Sequence, residues 1–356
     1  MLLKKLKINK IATGIALTAL ATTAQAGFKI QIDDDSSIEF GGYIKADARY
    51  VDGNVAFADY WIGGNGKDAG GSYTDASQFK LHARETRFNT KYTHGDVMAF
   101  LELDFSSPSV GGNEVISNSY SPRLRHAFIK YQNWLIGQTW STFMNTSAIP
   151  ETADFGGPIV GEVFVRQGQI RYTNGGLQLA IENPQSWGGT DSSNDNLPDV
   201  IAKYSFSGDW GSVSIAGLLR HLEPEGIDKT SFGTSITGKI KTVGKDDFKF
   251  QLHHGELGRY VGATITKDIV GGKVEETTAY SVSYRHFWTA DTRSTIFYGN
   301  AEGDLAKTDR SHFGVNIFKS LTKNLSIGVE YGNYDVSDLG VNADSDYLQF
   351  SAKFVL

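Results

Sequence analysis

Cysteine is absent from the 356 residues, which removes both a disulfide framework and any thiolate metal site. Methionine and proline are scarce, at 3 and 7. Downstream of the first 26 residues, Gly and charged side chains interrupt every apolar stretch well before the ~20 residues a helix needs to cross a bilayer. Stability must therefore come from a large core or a closed sheet, and any membrane crossing must use strands of ~10 residues. Also missing are a GxSxG elbow, an HExxH pair, a phosphate loop and a dinucleotide fingerprint. His82, His94, His126, His253 and His254 show no metal-ligand spacing. No enzyme, cofactor or metal site is expected. Glu102 and Asp104 share a strand face, as a glycosidase pair would, but they read more simply as carboxylates on a wall.

What is present begins with a leader. Lys4, Lys5, Lys7 and Lys10 precede an apolar run from Ile11 to Ala21, and Ala24-Gln25-Ala26 gives a small-x-small cleavage site, the pattern of an export signal. Residues 1–26 are expected to be removed and 27–356 to form one domain. The leader carries four of the 34 basic residues and none of the 40 acidic ones, so the remainder balances 30 against 40, a net charge of −10. That excludes a nucleic-acid binder on electrostatic grounds.

Glycine (40), phenylalanine (21) and tyrosine (16) are abundant, and the segments between turns are filled with strand-favouring residues. The final eleven residues set Leu348, Phe350, Ala352, Phe354 and Leu356 against Gln349, Ser351 and Lys353. This period of two marks a strand with one apolar and one polar face. It recurs, with Ile44, Ala46 and Ala48 against Lys45, Asp47 and Arg49, and Ala99, Leu101 and Leu103 against Glu102 and Asp104. Counting such runs predicts about 16 strands. They fall near 38–50, 79–93, 95–106, 122–132, 133–140, 166–173, 176–183, 198–207, 210–221, 231–243, 246–255, 277–288, 291–300, 310–319, 322–334 and 345–356. The runs near 79–93 and 122–132 do not alternate cleanly, so their facing is open by one residue. Short turns alternate with long polar loops, the largest near 51–78, 107–121, 141–165 and 256–276. Tyr43, Tyr92, Tyr131, Trp134, Trp140, Tyr172, Trp210 and Trp288 lie near strand ends, as interfacial girdles require. The expected fold is all-β: a 16-stranded antiparallel transmembrane β-barrel with short periplasmic turns and long extracellular loops, in the outer membrane of a Gram-negative bacterium.

The segments GGYIKADARY (41–50), RETRFN (84–89), SPRLRHAFIKY (121–131), LIGQTWSTF (135–143) and PETADFGGP (150–158) resemble the DcaP-like trimeric outer-membrane porins. The resemblance covers the N-terminal half; the C-terminal half is similar only as a generic barrel. It implies a homotrimer that takes up small anions such as dicarboxylates by passive diffusion, in contact with outer-membrane lipid and lipopolysaccharide. By analogy with general diffusion porins, the loop 141–165 after the fifth strand folds into the lumen as a constriction. Phe143, Asp154, Phe155 and Glu162 are its candidate residues. About ten residues precede the first strand, so the periplasmic coiled coil of some members is not expected. The chain ends in Leu356 rather than the usual Phe.

A guanidinium facing lipid at mid-depth costs ~2–4 kcal/mol, so strand arginines should face water. Lys45, Arg49, Arg87, Arg123, Arg125, Arg166, Arg171 and Arg285 are the candidates for pore lining and anion selectivity, and Lys203, Arg220 and Lys249 are further candidates for lumen positions. Arg123, Arg125 and Arg166 are expected near one level of the pore. The plainer reading pairs these cations with Glu39, Glu85, Glu102 and Asp104 as wall structure. Two alternatives stand beside the anion porin. One is a saccharide-preferring porin with Trp140, Phe143 and Phe164 as a sugar slide; the other is an exported soluble β-sandwich that binds glycans.

Overall fold

The computed structural model describes residues 27–55, 76–107, 118, 120–188, 195–224, 227–262, 266–338 and 341–356. The expected leader 1–26 and most of the loops 51–78 and 107–121 lie outside the described residues. Among those described, no helix is long and apolar enough to cross a membrane, and the alternating runs become strands. They are β1 (Ser36–Gly53), β2 in two pieces (Ala76–His82 and Arg87–His94), β3 (Val97–Ser107), β4 (Ser121–Tyr131), β5 (Trp134–Trp140), β6 (Arg166–Asn174), β7 (Leu177–Glu182) and β8 (Asp199–Gly208). Then come β9 (Gly211–Leu222), β10 (Lys229–Lys241), β11 (Asp247–Gly255), β12 (Thr277–Phe287), β13 (Thr292–Gly303), β14 (Thr308–Ser320), β15 (Leu325–Asp338) and β16 (Val341–Val355).

Each strand pairs antiparallel with its sequence neighbour, and β16 returns to β1 with Tyr43 opposite Val355 and Gly53 opposite Ser345. The edge of β1 beyond the end of β16 is taken by Phe28–Gln31, which sets Phe28 opposite Phe40. A closed ladder satisfies the backbone internally, which is what lets strands face hydrocarbon. The soluble sandwich is thereby excluded. Side-chain parity then sorts the faces: Ile44, Leu101, Ile129, Ile136, Ile215 and Ile296 stand exposed on the outside, while Lys45, Asp47, Arg49, Glu102 and Asp104 are buried inside.

Both irregular runs have a local cause. In β2, Ala83–Thr86 leave the ladder, with Thr86 N–H donating to Ala83 O (3.1 Å) and Phe105 N–H to Arg84 O (3.1 Å). Arg84, Glu85 and Thr86 are consecutively buried, which no alternation allows. In β4 the register against β3 jumps from Glu102–His126 to Leu103–Leu124. This bulge makes Arg125 the extra residue and lets Arg125 and His126 both face inward.

Two aromatics depart from the expected girdle. Tyr92, Tyr131, Trp134, Trp210 and Trp288 are exposed beside the short turns, but Tyr43 and Trp140 turn into the lumen. Tyr43 shares the parity of Lys45 and Asp47, and Arg87 and Lys353 lie over its ring. Trp140 ends β5 where the chain bends inward, and Ser141 N–H bonds Val165 O (3.0 Å) to close the neck of the loop. The last two strands also run past their expected ends. Polar tips lose the apolar alternation while the backbone ladder continues, to Asp338 opposite Val341.

Candidate functional site

The loop Ser141–Val165 crosses the lumen. Asn145 starts it on a short 3-10 turn, Thr146–Ala148, by accepting from Ser147 N–H (3.1 Å) and donating to Thr237 of β10 (2.8 Å). Farther on, Ala153 N–H donates to Glu330 of β15 (2.7 Å), and Asp154 pairs with Arg49 of β1 (3.3 Å). Gly161 lies so close to the Tyr280 carbonyl and the Asn300 amide that no Cβ fits between them. Phe143, Met144, Ile159, Val163 and Phe164 bury in one apolar cluster with Ile201, Leu218, Leu257, Tyr260 and Val261. A loop held by the far wall narrows the channel.

Its backbone carbonyls are the anchor points. Arg171 donates to Trp140 O, Lys203 to Met144 O (2.9 Å), Gln251 to Ala148 O (3.4 Å), Lys249 to Ile149 O, and Asn316 to Glu151 O (2.9 Å). Strands β6, β8, β11 and β14 thus present donors to carbonyls from Trp140 at the end of β5 to Glu151 in the loop. Three of those donors are cations, and a carbonyl carries no formal charge to cancel them. Among the described residues no carboxylate forms an ion pair with Arg171, Lys203 or Lys249.

The arginines nearer the long-loop end are arranged differently. Arg123 forks onto Asp104 through Nε (2.9 Å) and Nη2 (2.8 Å). Arg125 spans Glu102 (2.8 Å) and Asp104 (2.8 Å). Arg87 lies 3.7 Å from the Phe155 ring centroid and 4.0 Å from Glu102. Arg125 is 4.7 Å from the same Phe155 ring, and Arg166 is 4.5 Å from that of Trp140. Phe155 from the loop tip is therefore wedged between two guanidiniums, contacts worth ~0.5–2 kcal/mol each. Arg87, Arg123 and Arg125 thus lie against Glu102 and Asp104, and Arg166 lies over Trp140.

The sequence-derived residues distribute as follows. Arg123, Arg125 and Arg166 do gather about Trp140 and Asp104. Lys45 is bound by Asp47 (2.8 Å) and Glu85 (2.7 Å), and Arg49 donates to Gln349 (2.7 Å). Arg285 joins Arg293 around Glu151, at 3.2 and 2.5 Å, and also pairs with Asp247. Phe143 and Glu162 are packed inside the loop, at 1% and 0% exposure, rather than on its solvent face. Burial pushes the Glu162 carboxyl well above its ordinary value. Burial raises Glu151 too, but hydrogen bonds and charge from Arg293 and Arg285 outweigh it and hold that carboxyl low.

Sequence reasoning passed over Glu151, Arg293 and the segment Leu257–Val261. Parity could have found Arg293: Ile296 faces out, so Arg293, Thr295 and Phe297 face in. Nothing in the sequence announces Leu257–Val261, because its burial depends on the other loop.

A closed sixteen-stranded barrel with an apolar outside, a charged lumen and a loop across it defines an outer-membrane porin. A family model described as DcaP outer membrane protein matches residues 9–260, and the chain belongs to that family. The outer-membrane channel DcaP of Acinetobacter baumannii is 23% identical with a TM-score of 0.77, over 93% of this chain and 100% of that one. A loop L8 deletion mutant of OmpT from Vibrio cholerae is 12% identical with a TM-score of 0.59, over 91% and 100%. Salmonella typhi OmpF in complex with daunomycin is 14% identical with a TM-score of 0.58, over 92% and 100%. No curated protein matches the chain. Of these neighbours, the Acinetobacter baumannii protein is an outer-membrane channel.

Proposed function

We propose that the protein is a passive diffusion porin favouring small anions such as dicarboxylates, working as a homotrimer. Arg171, Lys203 and Lys249 carry the reading: they are lumen cations tied to loop carbonyls and not to carboxylates. In a narrow, weakly screened pore a few cations held by neutral acceptors lower the entry barrier for carboxylates. Arg87 and Arg166 lie against the Phe155 and Trp140 rings, which orient a guanidinium. The trimer follows from the porins the sequence resembles. Contact with outer-membrane lipid and lipopolysaccharide follows from the apolar outer face, and the export signal delivers the chain there.

The saccharide reading has less support. Trp140, Phe143 and Phe164 are buried in the loop's own cluster, so no ring face is free for a sugar to slide along. Liposome uptake decides between the two: a small dicarboxylate should enter faster than a neutral sugar of similar size. Equal rates, or faster sugar entry, would overturn the anion reading.

A further inference from the structure

We propose that a second loop, Leu257–Gly262 after β11, also folds into the lumen and sets the pore's calibre by holding the first loop across it. The inference rests on the porin reading. The two loops share a piece of sheet: Val163 bridges Val261, Phe164 N–H donates to Tyr260 O (2.9 Å), and Gly262 N–H donates to Glu162 O (2.9 Å). Leu257, Tyr260 and Val261 are buried within the first loop's apolar cluster, and Tyr260 meets Phe143 edge to face at 5.9 Å. An extracellular loop with nothing to hold would leave these side chains in solvent.

A polar latch fixes the second loop to the wall. Tyr260 donates its hydroxyl to Asp199 of β8 (2.7 Å) and accepts from Gln167 of β6 (2.8 Å). Arg259 pairs with Asp199 (3.0 Å) and donates to Asn183 O (2.9 Å). Arg220 of β9 pairs with Asp268 and donates to Gln185 O (2.8 Å), while Asp268 accepts from Trp187 N–H (2.7 Å). Gly258 sits at φ +44° against the Asp268 side chain, where any Cβ would collide. Charges buried in pairs are strongly destabilising to break singly, so the latch holds the loop in one place. The first loop then has support from above as well as from the carbonyl anchors below.

The test uses the full-length channel in planar bilayers. The chain has no cysteine, so Val163→Cys with Val261→Cys introduces one pair, across a bridge whose spacing suits a disulfide. That disulfide should form in the folded barrel and leave unit conductance unchanged. Gly258→Val or Tyr260→Ala should raise unit conductance about twofold and broaden the current levels. Adding the oxidised cysteine pair to either should restore the wild-type level. Failure of the disulfide to form, or wild-type conductance in both loosened variants with heat-modifiable mobility intact, overturns the proposal. Absence of any channel current from the wild type overturns the porin reading instead.

Discussion

Lys203 reaches from the barrel wall to the backbone carbonyl of Met144, 2.9 Å away. The contact ties the loop across the lumen to the wall through an acceptor that carries no formal charge. Arg123 shows the opposite arrangement, since its Nε and Nη2 both donate to the Asp104 carboxylate. Selectivity should follow that difference.

Lys203→Gln with Lys249→Gln removes two charges while a side-chain amide can still donate to the loop. The reversal potential in a salt gradient should move toward cations. Arg123→Gln with Asp104→Asn removes a neutral pair and should leave the reversal potential near wild type. Equal shifts in the two doubles would show that carbonyl-bound cations have no special role.

The lipid face is tested at neighbouring positions of β3. Leu101 is 45% exposed on the outside, whereas Glu102 faces inward onto Arg125. Leu101→Lys should cost ~2–4 kcal/mol near mid-depth and lower the temperature at which gel mobility shifts. Glu102→Gln keeps the hydrogen-bonding shape, leaves Arg125 paired with Asp104 and should assemble normally. Greater loss of assembly in the Glu102 variant would reverse the assigned facing.

Deleting residues 150–160 removes Glu151, Asp154 and Phe155, the groups that tie the loop tip to Arg285, Arg293, Arg49 and Arg87. Unit conductance should rise and ion selectivity should weaken together. Unchanged values for both would place the constriction elsewhere.

The Glu151 clamp sets a pH dependence. Arg293 and Arg285 hold this carboxyl below its ordinary 4.5, so the folded loop binds fewer protons there than the free chain. The clamp's contribution is complete above the ordinary value and is lost as pH falls through the lowered one. Recordings from about pH 6 down to about pH 3 should show rising conductance fluctuations at the acid end. Glu151→Gln should fluctuate at every pH. Acid-insensitive wild-type currents would contradict the assignment.

Much of the barrel was legible because lipid and water impose a strict parity on every regular strand. β1, β3 and β16 could be faced from alternation alone. β2 and β4 could not, since a break at Ala83–Thr86 and a bulge at Arg125 each add residues that alternation does not count. The charged site was legible only as a set of cations. Which of them would be neutralised depends on partners from distant strands: Asp104 for Arg123, but the Met144 carbonyl for Lys203. The second loop was illegible because Leu257, Tyr260 and Val261 become apolar core only once the first loop lies across the lumen.

The most direct measurement is the zero-current potential of the wild-type channel in a potassium chloride gradient. Lumen cations bound to neutral carbonyls predict a potential of the sign set by chloride, shifting toward zero as salt is raised and the field is screened. A potential of the sign set by potassium, in a chain that assembles and conducts, would contradict the account.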